Sequence, residues 1–217
     1  MCLLDVKFRM NTLGMDTYRN NLKRWNLAFW CQPVSEESHI NDVLQIEQTV
    51  FPTFMQDSLE DLNAFFADEY AHGLVLRQGN KPVGVLKGQH LDDRNTPQEL
   101  LDGPNLNAIR DVTFYMDSVG ILKESRSNQV LDFLMHEMAV DMRRFDYQYV
   151  AAHARVKGGL SRLYQRRYKA KVIARYDDWQ NFGEAFDYIL VDLKNVPIQP
   201  LWKHSCLRFI RRITRCF

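Results

Sequence analysis

The sequence predicts an α/β fold, a mixed β-sheet flanked by helices, and three observations carry that expectation. Apolar segments of element size follow one another in the order β-α-α-β-β-β-α-β-α-β-β. A two-strand hairpin pattern runs from Gly73 to His90, with Gln78, Gly79, Asn80, Lys81 and Pro82 as its turn. Beyond it strands alternate with helices, which implies a mixed sheet with helices on both faces.

The elements read in order as follows. A short helix fits Asp16–Trp25. The aromatic run 26–32 (NLAFWCQ) reads as a strand ended by Pro33. Ser35 to Ser38 open a polar first turn, and Ile40, Val43, Leu44, Ile46 and Val50 recur close to helical spacing until Phe51-Pro52 breaks the helix. Asp57 or Ser58 caps a second helix that buries Leu59, Leu62, Phe65 and Phe66. After the hairpin, residues 92–108 are rich in Asp, Asn, Pro and Gly and read as a surface loop. Asp111–Leu122 is a long strand and Ser127–Arg144 an amphipathic helix. Tyr147–Ala154 is a strand, Gly158–Tyr168 a short basic helix, and Val172–Tyr176 and Phe186–Leu193 are the last strands.

The 217 residues suit one domain with a full core, and 46% apolar with 25% charged residues is a globular balance. A net charge of +1 gives no global field for nucleic acid, so none is expected as a partner. The four cysteines, Cys2, Cys31, Cys206 and Cys216, form no C-x-x-C pair, which suggests neither a zinc ribbon nor a disulfide scaffold. His136-Glu137 begins like H-E-x-x-H but reaches Val140, so no metal site is expected. The apolar start is interrupted at Asp5, too early for a signal peptide, and a cytoplasmic location is the simplest expectation.

Two segments carry chemistry. The first is the strand-turn-helix run Met116–Met135, MDSVGILKESRSNQVLDFLM; the second is Lys157–Tyr168, KGGLSRLYQRRY. At the first, a helix begins where a strand has just ended. Its free backbone N–H groups and the positive end of its dipole favour phosphate there.

Together these runs resemble the two signature motifs of the Gcn5-related N-acetyltransferases, over about residues 26–193. The resemblance implies acetyl-CoA, or another acyl-CoA, as co-substrate, and a primary amine, on a small molecule or a protein, as acceptor. Val119 and Ile121 would offer backbone groups to the pantetheine arm. Arg126, Ser127, Asn128, Gln129, Val130 and Leu131 would form the pyrophosphate loop. The family has glycines where this chain has Ser127, Gln129 and Leu131. Tyr164 would protonate the departing thiolate, and Asp117 would serve as base, directly or through water. Glu69, His90 and His153 are further base candidates. Arg162, Arg166, Arg167, Lys169 and Lys171 make a basic helix face that could meet a cofactor phosphate, an acidic substrate or only solvent.

The expected division is an N-terminal extension at 1–25, the acyltransferase domain at 26–193, and a tail at 194–217. The tail mixes apolar residues such as Trp202 and Phe209 with five basic ones from Lys203 to Arg215. It fits a peripheral membrane contact, a homodimer contact, or docking on the domain. Two alternatives to acyl-CoA chemistry stay open on the glycine-free loop: a non-catalytic binding or regulatory relative, and an acyltransferase that takes its donor from an acyl carrier protein.

Overall fold

The computed structural model describes residues 29–91 and 109–196. The expected helix at Asp16–Trp25, the loop 92–108 and the basic tail from 197 onward lie outside the described residues.

The expected order of elements is the observed one. Strand β1 spans Phe29–Pro33, helix α1 Glu37–Val50, helix α2 Leu59–Ala67, β2 His72–Gln78 and β3 Lys81–His90. Strand β4 is Thr113–Ile121, α3 Asn128–Arg144, β5 Tyr149–Arg155, α4 Leu160–Tyr168, β6 Lys171–Tyr176 and β7 Phe186–Asp192. The seven strands make one sheet in the order β1-β2-β3-β4-β5-β7-β6. All neighbours are antiparallel except β4 and β5.

Local chemistry sets the ends of the elements. Ser58, not Asp57, caps α2: its hydroxyl accepts from the Asp61 N–H while the Asp61 carboxylate accepts from the Ser58 N–H. Asp57 turns instead toward Lys87. Helix α4 starts at Leu160 rather than at Gly158, because Gly158 and Gly159 take φ of 83° and 79°, a turn that only glycine enters freely. Strand β4 starts at Thr113, since residues Arg110–Val112 close a 3₁₀ turn that the Thr113 hydroxyl secures on the Ile109 carbonyl.

The sheet is covered on both faces. Gly120 of β4 faces Ile46, Val50 and Phe51, so α1 lies on that face. On the other, the Tyr164 hydroxyl of α4 meets Met116 of β4 and Met135 of α3. The main core joins Val43, Ile46, Leu74, Leu86, Phe114, Leu134, Met138 and Ile189. The packed unit extends to Val196, which is buried.

Candidate active site

Strand β4 changes partner along its length. Its pairing with β5 covers only Thr113, Phe114 and Tyr115 against Tyr149, Val150 and Ala151. From Met116 to Ile121, β4 is paired to β3 alone among the described residues, so its other edge is open. The Leu122 N–H donates to the Val83 carbonyl. By alternation the backbone groups of Val119 and Ile121 therefore point away from β3, to the open edge. That edge ends at the N-terminus of α3.

The turn between them is Lys123–Ser125, and Ser127 is the N-cap of α3. The Ser127 hydroxyl accepts from the Val130 N–H at 3.2 Å, and the Ser127 carbonyl accepts from the Leu131 N–H at 3.1 Å. The N–H groups of Asn128 and Gln129 have no carbonyl within the helix to reach. Arg126 folds back so that its Nη2 and Nε donate to the Ile121 carbonyl at 3.0 and 3.3 Å. A guanidinium, two helix N–H groups and the helix dipole thus stand beside an open strand edge. Val130 and Leu131 are buried in the core, whereas Ser127, Asn128 and Gln129 are exposed.

On the α1–α2 face of the same stretch lies a cluster of charges. The β3–β4 register shifts between Lys87 and Gly88: Lys87 pairs with Ser118 and Gly88 with Met116. Asp117 is the extra residue, a β-bulge. Gly88 is required there, because a Cβ would lie 2.3 Å from the Tyr115 carbonyl oxygen. The bulge turns Asp117 and Ser118 toward α1. Lys87, 2% exposed, donates to Asp117 at 2.5 Å and to Asp57 at 2.6 Å, lies 3.6 Å from Glu47, and stands 4.9 Å over the Phe65 ring. Glu47, 1% exposed, accepts from the Ser118 hydroxyl at 3.2 Å and from the Asp57 N–H at 3.4 Å. Burial would push Lys87 down, but Asp117, Glu47 and Asp57 outweigh it and hold its pKa above the ordinary lysine value. Burial pushes Glu47 up, and the Asp57 charge adds to that, against the opposing pull of Lys87.

Comparison with known proteins bears on the fold. No protein-family model matches the chain, and no curated protein does. Solved structures do. The fold is similar to the loading GNATL domain of CurA from Lyngbya majuscula, with a TM-score of 0.59 at 16% identity over 76% of this chain and 98% of that one. It is similar to Arabidopsis thaliana NAA60 in complex with acetyl-CoA, with a TM-score of 0.58 at 15% identity over 75% and 96% of the two chains. A third match is a chain of the NatC complex bound to Gag peptide and CoA, with a TM-score of 0.58 at 11% identity over 76% and 99%.

This chain has the Gcn5-related N-acetyltransferase fold. Within that fold the expected residues fall in four places. Val119, Ile121 and Arg126 line the open edge of β4. Ser127 to Leu131 form the first turn of α3, where Gln129 presents a side chain outward and Leu131 one inward. Asp117 belongs to the charge cluster with its carboxylate engaged by Lys87, although 38% of that side chain is exposed.

Tyr164 lies beneath β4. It is 1% exposed, and its hydroxyl points at the sulfurs of Met135 and Met116, 3.6 and 3.9 Å away. Burial raises its pKa above the ordinary tyrosine value, which keeps it protonated and makes it a weaker acid than a free tyrosine.

The other acetyltransferase-fold candidates separate. His153 stacks on Trp179 at 3.9 Å between centroids, and its Nδ1 lies 3.0 Å from the Tyr115 hydroxyl. Burial pushes its pKa down to about 3, so it is neutral at physiological pH. Glu69 is exposed in the turn before β2, and His90 packs against Tyr147 at the far end of β3. Arg167 of the basic helix face forms a bidentate pair with Asp132 of α3, which also accepts from the Tyr168 hydroxyl at 2.8 Å. Arg162, Arg166, Lys169 and Lys171 are exposed.

Two members of the cluster, Glu47 and Lys87, are absent from the residues that the sequence nominates. A signal for Lys87 was present: it shares the strand alternation of Val83 and Val85, which places a charge in the core and demands buried partners.

Proposed function

We propose that the chain is an N-acyltransferase that moves an acyl group, acetyl in the first instance, from acyl-CoA to an amine. The observation that carries this reading is the open edge of β4 running into the N-terminus of α3, beside Arg126. An amide-rich pantetheine arm would pair with the Val119 and Ile121 backbone as an added strand. The pyrophosphate would meet the Asn128 and Gln129 N–H groups and the Arg126 guanidinium. For that, Arg126 must leave the Ile121 carbonyl it now covers. A β4 N–H at the open edge would polarise the thioester carbonyl.

Attack is direct in this reading. Cys31, the one cysteine among the described residues, is buried on β1, and burial raises its pKa well above the ordinary thiol value. Tyr164, whose hydroxyl lies under β4 beside Met116, would give its proton to the leaving thiolate. The acceptor would approach from the α1–α2 face, where Asp117 and Ser118 point. The test is thiol release from acetyl-CoA against a panel of peptide α-amines, alkyl polyamines and aminoglycosides. Turnover with one class supports the reading; a chain that binds no acetyl-CoA contradicts it.

A second reading is favoured by one observation. Gln129 and Leu131 carry side chains where the phosphate cradle of this fold has glycine, so a donor with one phosphate, a carrier-protein phosphopantetheine, would fit more easily than a pyrophosphate. Transfer from an acetylated carrier protein with none from acetyl-CoA would favour it.

A further inference from the structure

We infer that Glu47 is the terminal proton acceptor of the acyl transfer, reached through the Ser118 hydroxyl, and that Lys87 is the positioning residue that holds its carboxylate there. The inference rests on the acyl-transfer reading above and goes beyond it by moving the base from the strand to helix α1.

The geometry argues for this path in three steps. Asp117, the carboxylate on the strand itself, is committed to Lys87 at 2.5 Å. Glu47 is more loosely tied to the same ammonium, at 3.6 Å, and it is the carboxylate bonded to a β4 hydroxyl. Ser118 is half-buried, so its hydroxyl can meet an acceptor on the α1–α2 face while it donates to Glu47 behind it. It stands one residue before Val119, whose backbone lines the open edge. The donor edge and the hydroxyl are therefore adjacent along one strand, one in the sheet plane and one on its face.

The electrostatics favour Glu47 as well. The groups facing the cluster are Lys87 of β3, Asp117, Tyr115 and Ser118 of β4, Asp57 before α2, and Asp61 at the start of α2, whose side chain is engaged by Ser58. Three carboxylates share one ammonium, and Glu47 is the most buried of the three. Its raised pKa makes it a stronger base than an ordinary carboxylate at the same pH.

The acceptor ammonium loses one proton to the Ser118 oxygen as Ser118 passes its own to Glu47 Oε1. The freed lone pair attacks the thioester carbonyl carbon and a C–N bond forms. When the adduct collapses the C–S bond breaks with its electron pair on sulfur. The second nitrogen proton goes to the thiolate, by way of Tyr164, which gives one proton and regains one. Glu47 releases its proton to solvent.

The test measures kcat/KM against pH for the full chain with acetyl-CoA and two acceptors, a peptide α-amine and an alkyl amine. If Glu47 takes the proton from a bound ammonium, the acidic limb belongs to Glu47 and lies at the same pH for both acceptors. In Glu47→Gln and Ser118→Ala the limb should move up and follow each amine's own pKa, with kcat/KM at pH 7 lower by about 100-fold. Glu47→Asp should restore part of the rate and of the common limb, which a merely structural role would not do. A wild-type limb that already follows the amine, or a limb unmoved in both variants, overturns the inference. The thermal shift with acetyl-CoA, measured on the same variants, separates the two readings. An unchanged shift with an unmoved limb removes the Glu47 path alone, whereas no shift even in the wild type removes the acyl-CoA reading.

Discussion

The Lys87 ammonium lies 2.5 Å from the Asp117 carboxylate because a bulge leaves Asp117 without a partner on β3 and turns it to the α1 face. That pair is the centre of a cluster in which Glu47, Asp57 and Asp117 depend on one buried cation. Its consequences for stability are measurable apart from any activity.

Lys87→Met removes that cation and leaves the buried Glu47 beside two further carboxylates. Removing one partner of a buried ion pair costs about 3–5 kcal/mol, and the exposure of Asp57 and Asp117 places this case at the lower end. Urea denaturation at pH 7 should show the loss. The folded-state pKa of Lys87 is raised, so its contribution is complete below the unfolded lysine pKa and is lost as pH rises through the folded one. Wild type should therefore lose stability above about pH 10, and Lys87→Met should lose it less steeply, keeping only the share due to buried tyrosines such as Tyr164 and Tyr188.

Gly88→Ala should disturb the bulge itself. Its Cβ would meet the Tyr115 carbonyl oxygen at 2.3 Å, and backbone cannot rotate aside as a side chain can. A cost of about 3 kcal/mol is expected in the same denaturation assay.

His153 supplies an acid-side prediction. Its folded pKa is depressed to about 3 by burial, against an unfolded value near 6.5. Stability contributed by the neutral ring is present above the unfolded pKa and is lost as pH falls from there toward 3. The slope is about 1.4 kcal/mol per pH unit in that window. His153→Phe keeps an aromatic ring on Trp179, and stability measured at pH 4 and pH 6 should then differ by less than in wild type.

Tyr164→Phe separates packing from chemistry. Among the described residues the hydroxyl meets two thioether sulfurs, weak acceptors, so its loss should change stability by less than about 1 kcal/mol. If the hydroxyl protonates the thiolate, kcat should fall about 100-fold with acetyl-CoA binding intact. A large loss of stability with unchanged kcat would return Tyr164 to a purely structural role.

The sequence carried most of the fold, because strand alternation, the hairpin turn and the Pro52 break are local signals. It carried less of the site, for physical reasons visible in particular residues. Asp57 and Ser58 are equivalent as caps until Lys87 claims the first of them. Glu47 sits beside Ile46 in an amphipathic helix and reads as a flank of its apolar stripe, since nothing local tells that β3 sends a lysine toward it. Asp117 was legible as a strand carboxylate, but the salt bridge that occupies it comes from a neighbouring strand. The early end of β4–β5 pairing depends on how two strands part in space, and neither strand's sequence states it.

The measurement that tests the account most directly is thermal unfolding of the full chain titrated with acetyl-CoA, beside acetyl-pantetheine and Arg126→Ala. A donor lying along β4 with its phosphates at α3 should add roughly 2.7 kcal/mol of stability at 100 times its Kd. Arg126→Ala should weaken acetyl-CoA by about 10-fold or more and leave the phosphate-free acetyl-pantetheine bound at least as tightly, since the Ile121 carbonyl is then uncovered. No stabilisation by millimolar acetyl-CoA, or equal weakening of both ligands, would contradict the account.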